Sequence, residues 1–278
     1  MRGAGNRTLQ VADAQGFMAR NTWRTIMRLA LWQTPSPAGD VETGLAALGA
    51  ALRAAAAQGA RMLVVPEVLL PGYNQDDIAS LAQPRGGAWT TAVADLCATA
   101  GCGVTLGYAE RDGERVFNAA IAFDGAGAEV AHYRKIQLYG PREKAIYGPG
   151  EAYAVFDLEG VKAALLICYD VEFATHIAAL AAQGVQLILC PTANMMPFTH
   201  VVRYTVSAMA ANHGVTIVYA NYCGVEGDLT YVGGSLIADP YGEPLVQAGT
   251  GPALLVADMP SLLDPYRLST QGTDFRKI

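Results

Sequence analysis

Ala56-Ala57-Gln58-Gly59-Ala60-Arg61-Met62-Leu63-Val64-Val65-Pro66 has an echo in Ala181-Ala182-Gln183-Gly184-Val185-Gln186-Leu187-Ile188-Leu189-Cys190-Pro191. Each copy reads as the end of a helix, a terminating Gly, a short apolar run and a proline. Four to five apolar residues between a Gly and a Pro are too few for a helix, and without alternation they suit a strand covered on both faces. Duplication of such a unit gives two similar halves, each a sheet with helices on one side. The economical assembly places the two sheets face to face with the helices outside.

Working outward, strand and helix patterns alternate from residue 26 to about 258. Leu45, Leu48 and Leu52 recur at helical spacing over 41–58, with Asp40 as N-cap and Gly59 as terminator. Trp89, Val93, Leu96 and Ala100 mark a second helix, and a strand follows over 102–108. Strands over 116–123 and 128–134 flank Asp124-Gly125-Ala126-Gly127, a hairpin signal. After a strand over 161–167, the pattern predicts helices over 173–183 and 200–212. Further strands are predicted over 186–190, 215–220, 234–239 and 253–258.

At 278 residues, 52% hydrophobic and only 16% charged, the chain has enough apolar material for one large core. Its net charge of −6 and scattered Lys and Arg argue against a nucleic-acid partner. No apolar run reaches the ~20 residues of a bilayer span, so no membrane role is expected. The five cysteines lack CxxC spacing and the four histidines lack ligand spacing. Disulfides, a zinc site and any other metal are therefore not expected, and the cysteines point to the reducing cytoplasm. No phosphate-binding or dinucleotide fingerprint is present; Tyr147-Gly148-Pro149-Gly150 reads as a turn, and no cofactor is predicted. Residues 1–25 are polar and unlike the rest. They read as a loose, disordered extension, or as residues upstream of a natural start at Met27.

Three strand ends carry chemistry. Val64-Val65-Pro66-Glu67 ends in a carboxylate, His132-Tyr133-Arg134-Lys135 in an ammonium, and Leu165-Leu166-Ile167-Cys168-Tyr169-Asp170 in a thiol. Gathered at one sheet edge, these supply a nucleophile, a base to ionise it and a cation facing an oxyanion. That set suits attack on a carbonyl or nitrile carbon. A lone cysteine is more often a small core residue, which is the reading for Cys97, Cys190 and Cys223.

Pro66-Glu67-Val68-Leu69-Leu70-Pro71-Gly72-Tyr73, Tyr133-Arg134-Lys135 and Leu166-Ile167-Cys168-Tyr169-Asp170, in that order, resemble the carbon–nitrogen hydrolase (nitrilase) superfamily. The resemblance extends over roughly 26–258, so 26–278 is assigned to one such domain. It implies an α/β fold, an αββα sandwich of two mixed sheets, in a homodimer or larger homo-oligomer with a four-layer core. It makes Cys168 the nucleophile, Glu67 the base, and Lys135 with the Tyr169 backbone N–H the oxyanion donors. Glu143, in a polar stretch read as a loop, resembles the family's second glutamate. Tyr73, Asn74, Glu172, Asn194, Met195, Met196 and Phe198 lie on loops after these strand ends and are the substrate-pocket candidates.

Cys168-Tyr169-Asp170-Val171-Glu172-Phe173 and Pro191-Thr192-Ala193-Asn194-Met195 look most like the branch of 5-aminopentanamidase and the stereoselective amino-acid amidases. The implied substrate is a small aliphatic or amino-substituted amide. Nitrile hydrolysis ranks second and N-carbamoyl cleavage third, with a catalytically silent partner protein as the reading from another class. The chain departs from the family where Ala174-Thr175 replaces the usual Pro-Glu, and where Ser207-Ala208-Met209-Ala210 lacks the usual Arg and Glu. Those losses bear on dimer geometry and local packing rather than on the chemistry.

Overall fold

The computed structural model describes residues 27–260, 262–274 and 276. The expected extension over 1–25 lies outside them. The chain forms the expected αββα sandwich. The first sheet contains β1 (Arg28–Gln33), β2 (Met62–Val64), β3 (Gly103–Asp112), β4 (Arg115–Phe123), β5 (Glu129–Arg134) and β14 (Ala253–Asp258), in the order β14-β1-β2-β3-β4-β5. The second contains β6 (Ala154–Leu158), β7 (Val161–Leu165), β8 (Leu187–Pro191), β9 (Thr216–Ala220), β12 (Leu236–Ala238) and β13 (Pro244–Gln247), in the order β13-β12-β9-β8-β7-β6. Each sheet has three parallel strands, β1-β2-β3 and β7-β8-β9, with antiparallel strands on either side. The echoed strands β2 and β8 are the middle strands of these triplets and touch across the sandwich.

Residue alternation explains why both faces are apolar. On β2, Met62 and Val64 pack between the sheets, while Leu63 faces the helices α1 (Val41–Ala57) and α3 (Ala88–Ala100), which the short α2 (Ile78–Leu81) separates in sequence. Leu29 and Leu31 of β1 likewise face inward and Ala30 outward. The outer face of the second sheet is covered by α5 (Ala174–Ala182) and α6 (Val206–His213), through Ile177, Leu180, Val206 and Ala210. Asp40 caps α1 by accepting from the Thr43 amide at 3.0 Å, and Gly59 follows its end at φ +78°.

Several elements differ from the sequence reading. The helix expected over 200–212 begins as a wide turn, Val201–Thr205, before α6 takes over. The expected loop around Glu143 is a short helix, α4 (Gly140–Ile146). β6 was not anticipated, because its hairpin to β7 turns through Glu159 (φ +51°) and Gly160 (φ +88°). This is a primed turn with Glu in place of the usual Asn or Asp. A small ribbon of β10 (Val225–Glu226) and β11 (Leu229–Thr230) and the edge strand β13 were also missed.

Candidate active site

The chemistry gathers where β2, β5, β7 and β8 end, the usual place for ligands in parallel sheets. Glu67 lies just beyond β2, and Val68 after it adopts φ +48°, a rare conformation for a β-branched residue. Cys168 lies beyond β7 at φ +47° and starts a tight turn, Cys168–Glu172. Lys135 directly follows β5. Strained backbone at two of the three strand ends turns the side chains sharply off the sheets.

Lys135 and Glu67 are completely buried, and Glu143 nearly so. Lys135 Nζ donates to Glu67 Oε1 at 2.7 Å and to Glu143 Oε1 at 2.8 Å. Asn118 of β4 donates through Nδ2 to Glu67 Oε1 at 2.6 Å. Glu143 Oε1 also accepts from the Tyr73 hydroxyl at 2.7 Å, and its Oε2 from the Tyr139 amide at 2.7 Å. Glu67 Oε2 has no hydrogen-bond partner among the described residues. One carboxylate is thus fully occupied, while the other keeps an oxygen free.

Burial pushes the Glu67 carboxyl up to about 7; the Lys135 ammonium opposes this and the Glu143 charge adds to it. Burial works against the Lys135 ammonium, but Glu143 and Glu67 outweigh it and hold its pKa well above the ordinary value. Burial, reinforced by Glu67, also pushes the Cys168 thiol well up, with Lys135 pulling the other way. The resting site therefore pairs a protonated thiol with a carboxylate that changes charge near neutrality. Such a pair suits proton transfer during attack rather than a preformed thiolate.

Cys168 opens onto a cavity of about 230 Å³. Of the pocket candidates, Tyr73, Glu172, Asn194, Met195 and Phe198 line it, together with Tyr139, Tyr169 and His200. Two candidates are elsewhere. Asn74 does not line the cavity: its Nδ2 donates to the Glu226 carbonyl and to Asp228 Oδ1, both at 2.9 Å, tying its loop to the β10–β11 ribbon. Met196 is half exposed and borders a separate surface groove. Burial raises the pKa of the Glu172 carboxyl, and His200 and then Lys135 oppose that rise.

The sequence reading missed Asn118, although an amide inside the apolar run Val116-Phe117-Asn118-Ala119-Ala120 was the available signal. It also missed the tie between two of its own motifs. Buried Asp170 accepts from the Tyr133 hydroxyl at 2.8 Å, the Gln137 amide at 2.7 Å and the Ile167 amide at 3.0 Å. The turn that carries Cys168 is thereby fastened to the strand that carries Lys135. Among the described residues, no group of three or more His, Cys, Asp or Glu is arranged to hold a metal, and no helix is long and apolar enough to cross a membrane.

The family model for carbon–nitrogen hydrolases matches residues 28–268. A hydrolase encoded in the pqqF 5′ region of Pseudomonas protegens is 37% identical over 238 residues, covering 84% of this chain and 82% of that protein. An (R)-stereoselective amidase of a Pseudomonas species is 29% identical over 271 residues, covering 97% of this chain and 89% of that one. The crystal structure of an amidase from a Nesterenkonia species superposes with a TM-score of 0.83 at 35% identity, over 91% of this chain and 94% of that one. A variant of that amidase, with a TM-score of 0.83 at 34% identity over 92% and 95% of the two chains, carries the acetamide moiety of fluoroacetamide covalently on its active-site cysteine. With the family model, the related sequences and the overall fold in agreement, the chain belongs to the carbon–nitrogen hydrolase family, in the amidase branch of the nitrilase superfamily.

Proposed function

We propose that this chain is a cysteine-dependent amidase that converts a small aliphatic or amino-substituted carboxamide to its acid and ammonia through a thioester. The observation that carries this reading is the buried Glu67–Lys135–Glu143 network, joined through the Tyr73 hydroxyl to the cavity that Cys168 lines. In the first half-reaction Sγ of Cys168 bonds to the amide carbon while Glu67 takes the thiol proton. The carbonyl electron pair moves onto oxygen, where the Lys135 ammonium and the Tyr169 backbone N–H receive it. Collapse of this intermediate breaks the C–N bond, and Glu67 returns the proton to the leaving nitrogen as ammonia departs. In the second half Glu67 deprotonates a water that attacks the thioester carbon. The acid leaves as Glu67 reprotonates the thiolate. Glu143 holds Lys135 and Tyr73 in place throughout.

A cavity of about 230 Å³ favours a short acyl chain, being smaller than the roughly 300–1,000 Å³ of sites for drug-sized ligands. Glu172 on its wall favours an amine at the far end of that chain, and Asn194 and Met195 complete the proposed binding surface. Measuring kcat/KM for pentanamide and 5-aminopentanamide tests this. The amino amide is expected to be preferred, with Glu172→Gln narrowing the gap mainly through KM; equal values in the unaltered enzyme would leave a plain aliphatic amidase. The thioester is tested by a rapid quench, which should yield a mass increase equal to the acyl group on Cys168, and by hydroxylamine, which should divert it to a hydroxamate. Direct attack of water on the amide would yield neither. One hydrolase domain over 26–278, a homodimer and a cytoplasmic location complete the proposal, the last supported by five free cysteines. Sedimentation of the purified chain tests the dimer.

A further inference from the structure

Glu226, on β10, is a buried carboxylate at 3% exposure that takes no part in the chemistry above. No Lys, Arg or His among the described residues pairs with it. Its Oε1 accepts from Gln75 Nε2 at 2.6 Å, and its Oε2 accepts from the Tyr231 hydroxyl. Its own backbone carbonyl accepts from Asn74. Gly72 packs so closely that a Cβ there would lie 2.7 Å from Glu226 Oε1. Glu226 is therefore bound directly to the 72–75 loop, whose Tyr73 lines the cavity and donates to Glu143.

The same ribbon and the residue after Tyr231 also hold the 194–196 segment, whose Asn194 and Met195 line another part of the cavity. The Met196 amide donates to the Thr230 carbonyl at 2.8 Å, and the Val232 amide to the Asn194 carbonyl at 3.0 Å. Arg142, next to Glu143, closes the circuit by donating to the Tyr73 and Gln75 carbonyls, both at 2.9 Å. A buried carboxyl group is costly unless hydrogen-bonded, and both oxygens of Glu226 are spent on the pocket loop and on Tyr231. We propose that Glu226 is a positioning residue that clamps these two parts of the pocket lining together and holds Tyr73 against Glu143, and through it Lys135. The clamp rests on the amidase reading only for its kinetic readout.

The test compares Glu226→Ala, Glu226→Gln, Gln75→Ala, Tyr73→Phe and the Glu226→Ala/Tyr73→Phe double variant. Two quantities are read: kcat and KM on an amide, and the rate constant for alkylation of Cys168 by iodoacetamide. Glu226→Ala is expected to lower kcat about tenfold or more, by displacing Tyr73 and the groups behind it. Glu226→Gln should stay within about threefold of the parent, because its amide still accepts from Gln75 and donates to Tyr231. If Glu226 acts through Tyr73, the double variant is no slower than the worse single one; independent roles would multiply. Multiplying effects, a folded Glu226→Ala enzyme with parental kinetics, or a Tyr73→Phe enzyme with parental kinetics would each overturn the proposal. Should Glu226→Ala fail to fold, Gln75→Ala decides, with slower turnover supporting the clamp and unchanged turnover overturning it. A chain that hydrolyses no amide would refute the amidase reading, and the alkylation rates would still decide for or against the clamp.

Discussion

Glu67 is legible in the sequence because a carboxylate that ends an apolar run contrasts sharply with what precedes it. The same contrast exposes Lys135 and Cys168. Glu143 was harder to place, since Arg142 and Lys144 on either side make a polar stretch; only the fold shows the helix that buries it. Asn118 gave still less signal, being uncharged and inside a strand. Its hydrogen bond lowers the Glu67 pKa against the larger upward effect of burial. Two predictions belong at this scale. Glu67→Gln should fold normally and lose at least ~100-fold in kcat, the lower range for general acid–base catalysis; near-parental turnover would remove Glu67 from the mechanism. The parent should show kcat/KM rising with pH through about 7, as Glu67 loses its proton and becomes able to accept one. In Asn118→Ala the carboxylate loses a donor, so its pKa goes up and the acid limb should move to higher pH; an unmoved limb would mean that the bond does not tune the base.

The long elements were legible from periodicity, and the short ones were not. Two-residue strands such as β10 and β11 contain no period to detect, and β6 hides behind a turn with an unusual first residue. The tie between β5 and the Cys168–Glu172 turn was invisible for a different reason. Tyr133 and Asp170 were each visible within their motifs, but nothing in a linear pattern pairs residues 37 positions apart. A hydrogen bond to a buried carboxylate contributes about 1.5–3 kcal/mol. Tyr133→Phe should therefore lower the urea unfolding free energy by about that amount. It should also slow turnover, since the turn that presents Cys168 loses one of its anchors. An unchanged unfolding midpoint would show that the two backbone donors to Asp170 suffice.

Across the whole molecule, the doubled layout was readable from one echoed stretch because both copies meet the same surroundings. Each forms a strand covered on one face by helices and on the other by the opposite sheet. What that echo does not reveal is how the outer strands of the first sheet are fastened. Glu110 of β3 reaches over β4 to β5, accepting from Arg134 at 2.5 Å with the His132 ring at 2.6 Å, while Arg134 stacks 3.8 Å above the Phe117 ring. Burial alone would raise the Glu110 pKa, but His132 and Arg134 outweigh it and hold the carboxyl at about 2. In an unfolded chain a glutamate titrates near 4.3. The folded state thus binds its proton less readily, so the cluster's contribution is fully present above pH ~4.5 and declines as pH falls toward about 2. Stability followed by denaturant titration should fall over that window. Glu110→Gln should be less stable than the parent at pH 7, and the gap should close as the pH approaches 2. A gap that stays constant across the window would assign the loss to packing around Phe117 rather than to the charge of Glu110.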